Sequence, residues 1–142
     1  MAFASIISSC SSSNEDYWTE YAEWREANNA WIETKAVQKT ADGKDYYTKV
    51  VPVWNSQAYV LMHYYNDTML TQNNLKPHYT STCDVKYHGS MYNGTAFDSS
   101  YLSTSPADSV YRSYLPKMVA GWSIALQQMH VGDSCEVIIP YS

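Results

Sequence analysis

The chain has 142 residues, 45% of them hydrophobic and 16% charged, with a formal charge of −5. That length suits one domain with an appendage, and the composition excludes disorder as the default state. The 9 Lys and Arg residues form no basic cluster, and the 4 histidines and 3 cysteines have no zinc spacing, which excludes a nucleic-acid footprint and a Cys/His metal site. No phosphate-binding glycine loop and no G-x-S-x-G occur, so the common nucleotide and hydrolase signatures are absent too. Aromatic content is high, with 14 Tyr and 5 Trp against 2 Phe. Tyr and Trp pair a large apolar body with one polar handle, which suits half-open pockets and equally a tyrosine-rich β-protein.

In chain order, MAFASIISSC is apolar and rich in small residues, yet too short to span a bilayer, which takes about 20 apolar residues. Ile7-Ser8-Ser9-Cys10 resembles a bacterial lipobox with Cys10 as the lipidated residue, although no basic stretch precedes it. Residues 1–13 then read as a signal remnant and polar tether. Ser13-Asn14-Glu15-Asp16 is a capping-box pattern and opens an amphipathic helix assigned to 14–40, regular to about Gln38. Tyr17, Tyr21, Trp24, Asn28 and Trp31 fall on one face of it. That stripe either lies on its own domain or forms a homodimer seam near Tyr17, Tyr21, Trp24 and Trp31. Thr40-Ala41-Asp42-Gly43 ends the helix.

The domain proper is assigned to 44–142. DYYTKVVPVW is a first strand that Pro52 confines to an edge or a bend, and QAYVLMHYY a second after a turn at Asn55-Ser56. A connector with Asn66-Asp67 and Asn73-Asn74 runs through Pro77. YTSTCDVKYHG is a third strand, with Val85 and Tyr87 on one face and Lys86 and His88 on the other. Asn93-Gly94 predicts a two-residue hairpin turn with φ > 0 at both positions, and TAFDSS returns as the fourth strand. STSPADSVY is loop, and LPKMVAGWSIALQQM is a short helix with Trp122, Ala125, Leu126 and Met129 at helical spacing. HVGDS turns into a fifth strand, CEVIIP. Cys83 and Cys135 either pair in an oxidising compartment or serve as small buried hydrophobes. The class is α+β: antiparallel strands wrapped around a short helix and preceded by a long one.

VKYHGSMYNGTAFDSS followed by MVAGWSIALQQMHVGDSCEVIIP resembles the FKBP-type peptidyl-prolyl cis-trans isomerases. The family pattern runs V-x-Y-x-G, an F-D-S-S hairpin, V-I-x-G-W-x-x-A-L, an M-x-x-G-D/E turn and a strand ending I-P. The ordered set covers Val85 to Pro140, with a slightly long loop after Tyr101. The tether and leading helix resemble those of bacterial envelope FKBPs, while the stretch from Val51 to Pro77 is longer than the usual first connection.

The resemblance implies a proline slot with Trp122 as floor, Tyr87 and Phe97 as walls, Met118 and Val119 as an aliphatic side, and Asp98 hydrogen-bonded to Tyr87. Singly, Trp122, Val119 and Phe97 read as well as core, and Asp98 as a turn former. Where the family usually carries a further aromatic wall, Pro106 is followed by Ala107 and Asp108, so that wall is missing or comes from Tyr101 or Tyr111. The family continues past I-P with L-A-Y-G, a flap and a last strand, so the chain is expected to be truncated at its C-terminus. The implied function is isomerisation of X-Pro bonds in envelope proteins without a cofactor, acting on proline peptides or unfolded proteins. The alternative is a peptide-binding or chaperone module of the same fold with little activity, or a structural lipoprotein.

Overall fold

A computed structural model describes residues 19–103 and 109–141. The central strand is β2 (Val60–Tyr64), flanked antiparallel by β1 (Thr48–Val50) and β7 (Cys135–Ile138). Side chains alternate along a strand. Val60 and Met62 therefore face one side, where Ile124 and Ala125 of α3 (Ala120–Leu126) bury them. Leu61 faces the other side and meets Tyr47, Ile138 and Ile32, the last from α1 (Ala22–Ala36). Helices on both faces explain why β2 reads as an unbroken apolar run rather than an alternating one. Each such buried side chain contributes about 1.5–3 kcal/mol.

The leading helix ends short of the expected Gln38 and of residue 40. Regular structure ends at Ala36, because the next residues pair elsewhere: the Tyr46 N–H donates to the Gln38 carbonyl (2.9 Å) and the Thr40 N–H to the Lys44 carbonyl (2.8 Å). Gly43 turns that small loop at φ +82°, and Lys39 pairs with Asp45 across it. The capping box, Tyr17 and Cys10 lie outside the described residues. The buried face overlaps the later part of the aromatic stripe and adds Ile32 to it. Asn28 and Ile32, one turn apart, are buried with Trp31 beside them, while Tyr21 stays 42% exposed. Trp24 is edge-on to Tyr92 and Tyr141, at 5.6 Å from the latter. Ile32 meets Tyr47 and Leu61, with Trp31 of the stripe packed beside it.

The connector between β2 and β3 (Thr82–Val85) is anchored by one carboxylate. Asp133, buried in the turn before β7, accepts hydrogen bonds from the Asn66 amide (3.0 Å), the Thr71 hydroxyl and the His130 backbone N–H (2.7 Å). Burial alone would raise its pKa, but these donors outweigh burial and hold it below the ordinary carboxylate value. A depressed folded pKa means stability present above the unfolded value of about 3.9 and lost as pH falls through the folded one. Asp133→Asn is expected to lose about 2 kcal/mol at pH 7 and to flatten the acid limb of the stability curve. Thermal melts of both proteins at pH 7 and down through pH 4 to 2 check this, and parallel curves refute it.

The expected third strand is in fact two. β3 pairs with β6 (Tyr111–Tyr114), whereas β4 (His88–Ser90) pairs with β5 (Ala96–Ser99). The chain changes partner at Tyr87, whose N–H donates to the Ser100 hydroxyl (3.0 Å) and whose carbonyl accepts from the Ser100 N–H (3.1 Å). Tyr111, read as loop, is thus in a strand, while Pro106–Asp108 lie outside the described residues. The β4–β5 loop has three residues, not two. The Met91 N–H reaches the Thr95 carbonyl, the Gly94 N–H reaches the Met91 carbonyl, and Gly94 alone has positive φ (+83°).

After β5 comes the short α2 (Ser100–Ser103). The helix expected from Leu115 is broken. Leu115–Lys117 is a single 3₁₀ turn, Met118 and Val119 are extended with ψ of 159° and 148°, and α3 begins only at Ala120. Cys83 and Cys135 are free thiols on different sheets, and burial pushes the Cys135 thiol up to about 11.

Candidate active site

The site is built around Tyr87, where β3 hands over to β4. Its ring meets the edge of Trp122 (centroids 4.9 Å, planes at 85°) and of Tyr111 (5.7 Å, 72°). Such edge-to-face pairs are each worth about 0.5–1.5 kcal/mol beyond their buried area. Its hydroxyl donates to Asp98 Oδ2 at 2.5 Å, and Asp98 Oδ1 also accepts from the Ser99 N–H (2.8 Å). Asp98 is thereby aimed by two donors while remaining open to solvent.

The serines after Phe97-Asp98 have separate local jobs. Ser100 is fully buried and clamps the Tyr87 backbone, while the Ser99 hydroxyl accepts the Tyr101 N–H (3.1 Å) at the start of α2. The register of β4 and β5 runs His88↔Ser99, Gly89↔Asp98, Ser90↔Ala96, leaving Phe97 as an extra, bulged residue. A bulge re-aims side chains near a site. Here it lets Phe97 and Asp98, neighbours in sequence, serve the same end of the ribbon. The Phe97 ring lies across Gly89: a Cβ there would come within 2.7 Å of it. Gly89 and Tyr87, two apart in extended chain, share a face, so Phe97 stands at the rim of the Tyr87 side.

Tyr87, Asp98 and Trp122 are therefore brought together. Phe97 is at the rim, 65% exposed, and Val119 is 64% exposed just before α3. The Val119 carbonyl is taken by the Trp122 N–H (3.0 Å), and Met118 is half-buried. The two tyrosines considered for the further aromatic wall separate clearly. Tyr101 stacks on His88 (4.8 Å), away from the group, whereas Tyr111 stands beside Tyr87. Tyr111 owes its place to the β3–β6 register, pinned where Arg112 grips Asp84 with two hydrogen bonds of 2.6 Å each. That guanidinium holds the Asp84 carboxyl below its usual range. The available signal was the alternation in Tyr111-Arg112-Ser113-Tyr114. Gly89 was likewise legible as a glycine inside a strand, a mark of close approach.

Chemically the group is three aromatic rings around one oriented carboxylate. Among the described residues no three His, Cys, Asp or Glu side chains assemble as a metal site. Residues 73–142 match the family model described as FKBP-type peptidyl-prolyl cis-trans isomerase.

These residues belong to that family. Every side chain of the group around Tyr87 falls inside the matched segment, whereas α1, β1 and β2 precede it. The chain is 37% identical over 65 residues to an outer membrane protein MIP of Legionella longbeachae, covering 46% of this chain and 26% of that protein. It is 38% identical over 60 residues to a macrophage infectivity potentiator of Trypanosoma cruzi, covering 42% and 28%. It is 39% identical over 56 residues to a peptidyl-prolyl cis-trans isomerase Mip of Coxiella burnetii, covering 39% and 23%. The matches thus span about a quarter of those relatives' lengths. No solved structure matches the chain.

Proposed function

We propose that the chain catalyses cis–trans isomerisation of X-Pro bonds, with Trp122 as floor, Tyr87, Phe97 and Tyr111 as walls, Met118 and Val119 as the aliphatic side, and Asp98 as the lone acid. The observation that carries this reading is the Tyr87 hydroxyl bridging Asp98 while its ring meets Trp122. The barrier to rotation, about 18–20 kcal/mol, comes from amide resonance. The planar amide is the more charge-separated form, so an apolar surround favours the twisted one. Aromatic rings provide that surround, and no nucleophile or base takes part. Asp98 orients the peptide near its carbonyl.

Isomerisation of a short Leu-Pro peptide, followed by NMR exchange, tests the proposal. Catalysis is expected, and Asp98→Val is expected to lower kcat/KM about tenfold, with an unchanged fold by circular dichroism. Absence of catalysis by the intact chain overturns the reading. One observation favours the peptide-holding alternative: with Phe97 and Val119 so exposed, the slot is open on one side. Peptide binding without acceleration in the same experiment would select it.

We further propose an envelope location and clients that fold there. Ile7-Ser8-Ser9-Cys10 and the outer-membrane name of the Legionella relative support it. Among the described residues no helix is long and apolar enough to cross a membrane; the attachment we propose is a lipid at Cys10. Labelled fatty acid incorporated by the wild type and absent from Cys10→Ala is the expected result; equal labelling refutes it.

A further inference from the structure

The long connection from Val51 to Pro77 has no part in the slot, yet it delivers an aromatic side chain to the flank of α3. Pro52 ends β1, and the Asn55 N–H closes a turn onto the Pro52 carbonyl (3.2 Å). That turn holds up Trp54, 63% exposed. Opposite stands Tyr79, 52% exposed, just past the other end of that stretch. Between them is a groove of about 410 Å³ lined also by Met118, Ala120, Ser123 and Gln127.

Two features define what the groove can take. Its polar lining is already engaged: the Ser123 hydroxyl donates to the Leu115 carbonyl (2.8 Å), and the Gln127 amide donates to the Ser123 carbonyl (2.8 Å). What remains on offer is Trp54, Tyr79, Met118 and Ala120, an apolar and largely aromatic surface. Groove and slot are also continuous through Met118. The residue that lines the groove is followed directly by Val119, and Trp122 lies one turn into the same helix. On α3, Ala120, Ser123 and Gln127 share one side, with Trp122 turned about 100° from Ser123. A peptide whose proline rests on Trp122 and passes Val119 reaches the groove next.

We infer that this groove is a second subsite, which takes a large apolar side chain, aromatic or long aliphatic, of the same peptide whose proline enters the slot. The inference rests on the isomerase reading above and adds a sequence preference to it. The turn between β1 and β2 that carries Trp54 then serves to select substrates.

The test uses the intact chain and two kinds of peptide. One is a Leu-Pro core flanked by alanines. The other carries a single Phe at one to four residues from the proline, on either side. The wild type is expected to process the best Phe peptide with kcat/KM about tenfold above the core. Trp54→Ala and Tyr79→Ala, both at exposed positions, are each expected to abolish most of that preference and to leave the core rate unchanged. The side that responds gives the direction of the bound chain. Equal rates on both peptides, a preference that survives both substitutions, or a parallel loss on the core peptide overturns the subsite alone. A chain inactive on the core peptide overturns the isomerase reading and the subsite with it.

Discussion

Trp122→Leu is expected to reduce kcat/KM for X-Pro isomerisation about thirtyfold, a loss of about 2 kcal/mol in transition-state stabilisation. The ring is half-buried and serves the Tyr87 side of the site rather than the main core, which Ile124 and Ala125 supply from the same helix. Leucine keeps apolar volume but removes the flat surface on which a proline ring would rest and the edge that fixes Tyr87. The melting temperature should therefore fall by only a few degrees, as about 1 kcal/mol in a chain of this size implies. Paired kinetics and melts decide the matter. Unchanged turnover would remove Trp122 from the site, and loss of fold together with loss of rate would make it a core residue.

Gly121→Ala is expected to destabilise the fold, against its effect on the helix alone. In isolation, alanine favours a helix over glycine by about 1 kcal/mol. Here a Cβ would stand 2.3 Å from Ile139 Cγ2, 2.8 Å from Cγ1 and 2.9 Å from Cδ1. A β-branched side chain has little freedom to swing aside, and α3 cannot retreat because Ile124 and Ala125 are buried against β2. Overpacking of this kind costs about 1–3 kcal/mol, so the clash prevails. Ile139→Ala removes all three conflicting atoms. The double variant should be more stable than the sum of the single losses, with a coupling energy of at least about 1 kcal/mol by denaturant titration. Additive losses would show that the contact is unimportant. Because Gly121 sits beside Trp122, the strain of the single variant should also lower turnover.

Much of this architecture was legible residue by residue. The apolar run in Val60-Leu61-Met62, the strand at Cys135–Ile138 and the glycine turn at Gly94 all formed where propensity placed them. So did the grouping of Tyr87, Asp98 and Trp122, which rests on ordered short motifs. The helix end and the divided strand share one cause: each depended on a partner outside the segment itself. The helix ended at Ala36 because the next residues bonded to Lys44 and Tyr46. Ile32, off the aromatic stripe, joined Asn28 and Trp31 in the buried face because it meets Tyr47 and Leu61 on the sheet side. The third strand divided at Tyr87 because Ser100 captured that residue's backbone.

Local chemistry thus determined most element types and the hairpin that carries Phe97 and Asp98, and the ordered motifs pointed to Tyr87, Asp98 and Trp122 as one group. Only the tertiary structure decided that Tyr111 rather than Tyr101 stands by Tyr87, that Phe97 lies out at the rim over Gly89, and that Trp54 flanks α3. Those outcomes hang on strand register and on contacts between distant segments, such as the Arg112–Asp84 pair across 28 residues. Periodicity within a segment contains no record of which other segment it will meet.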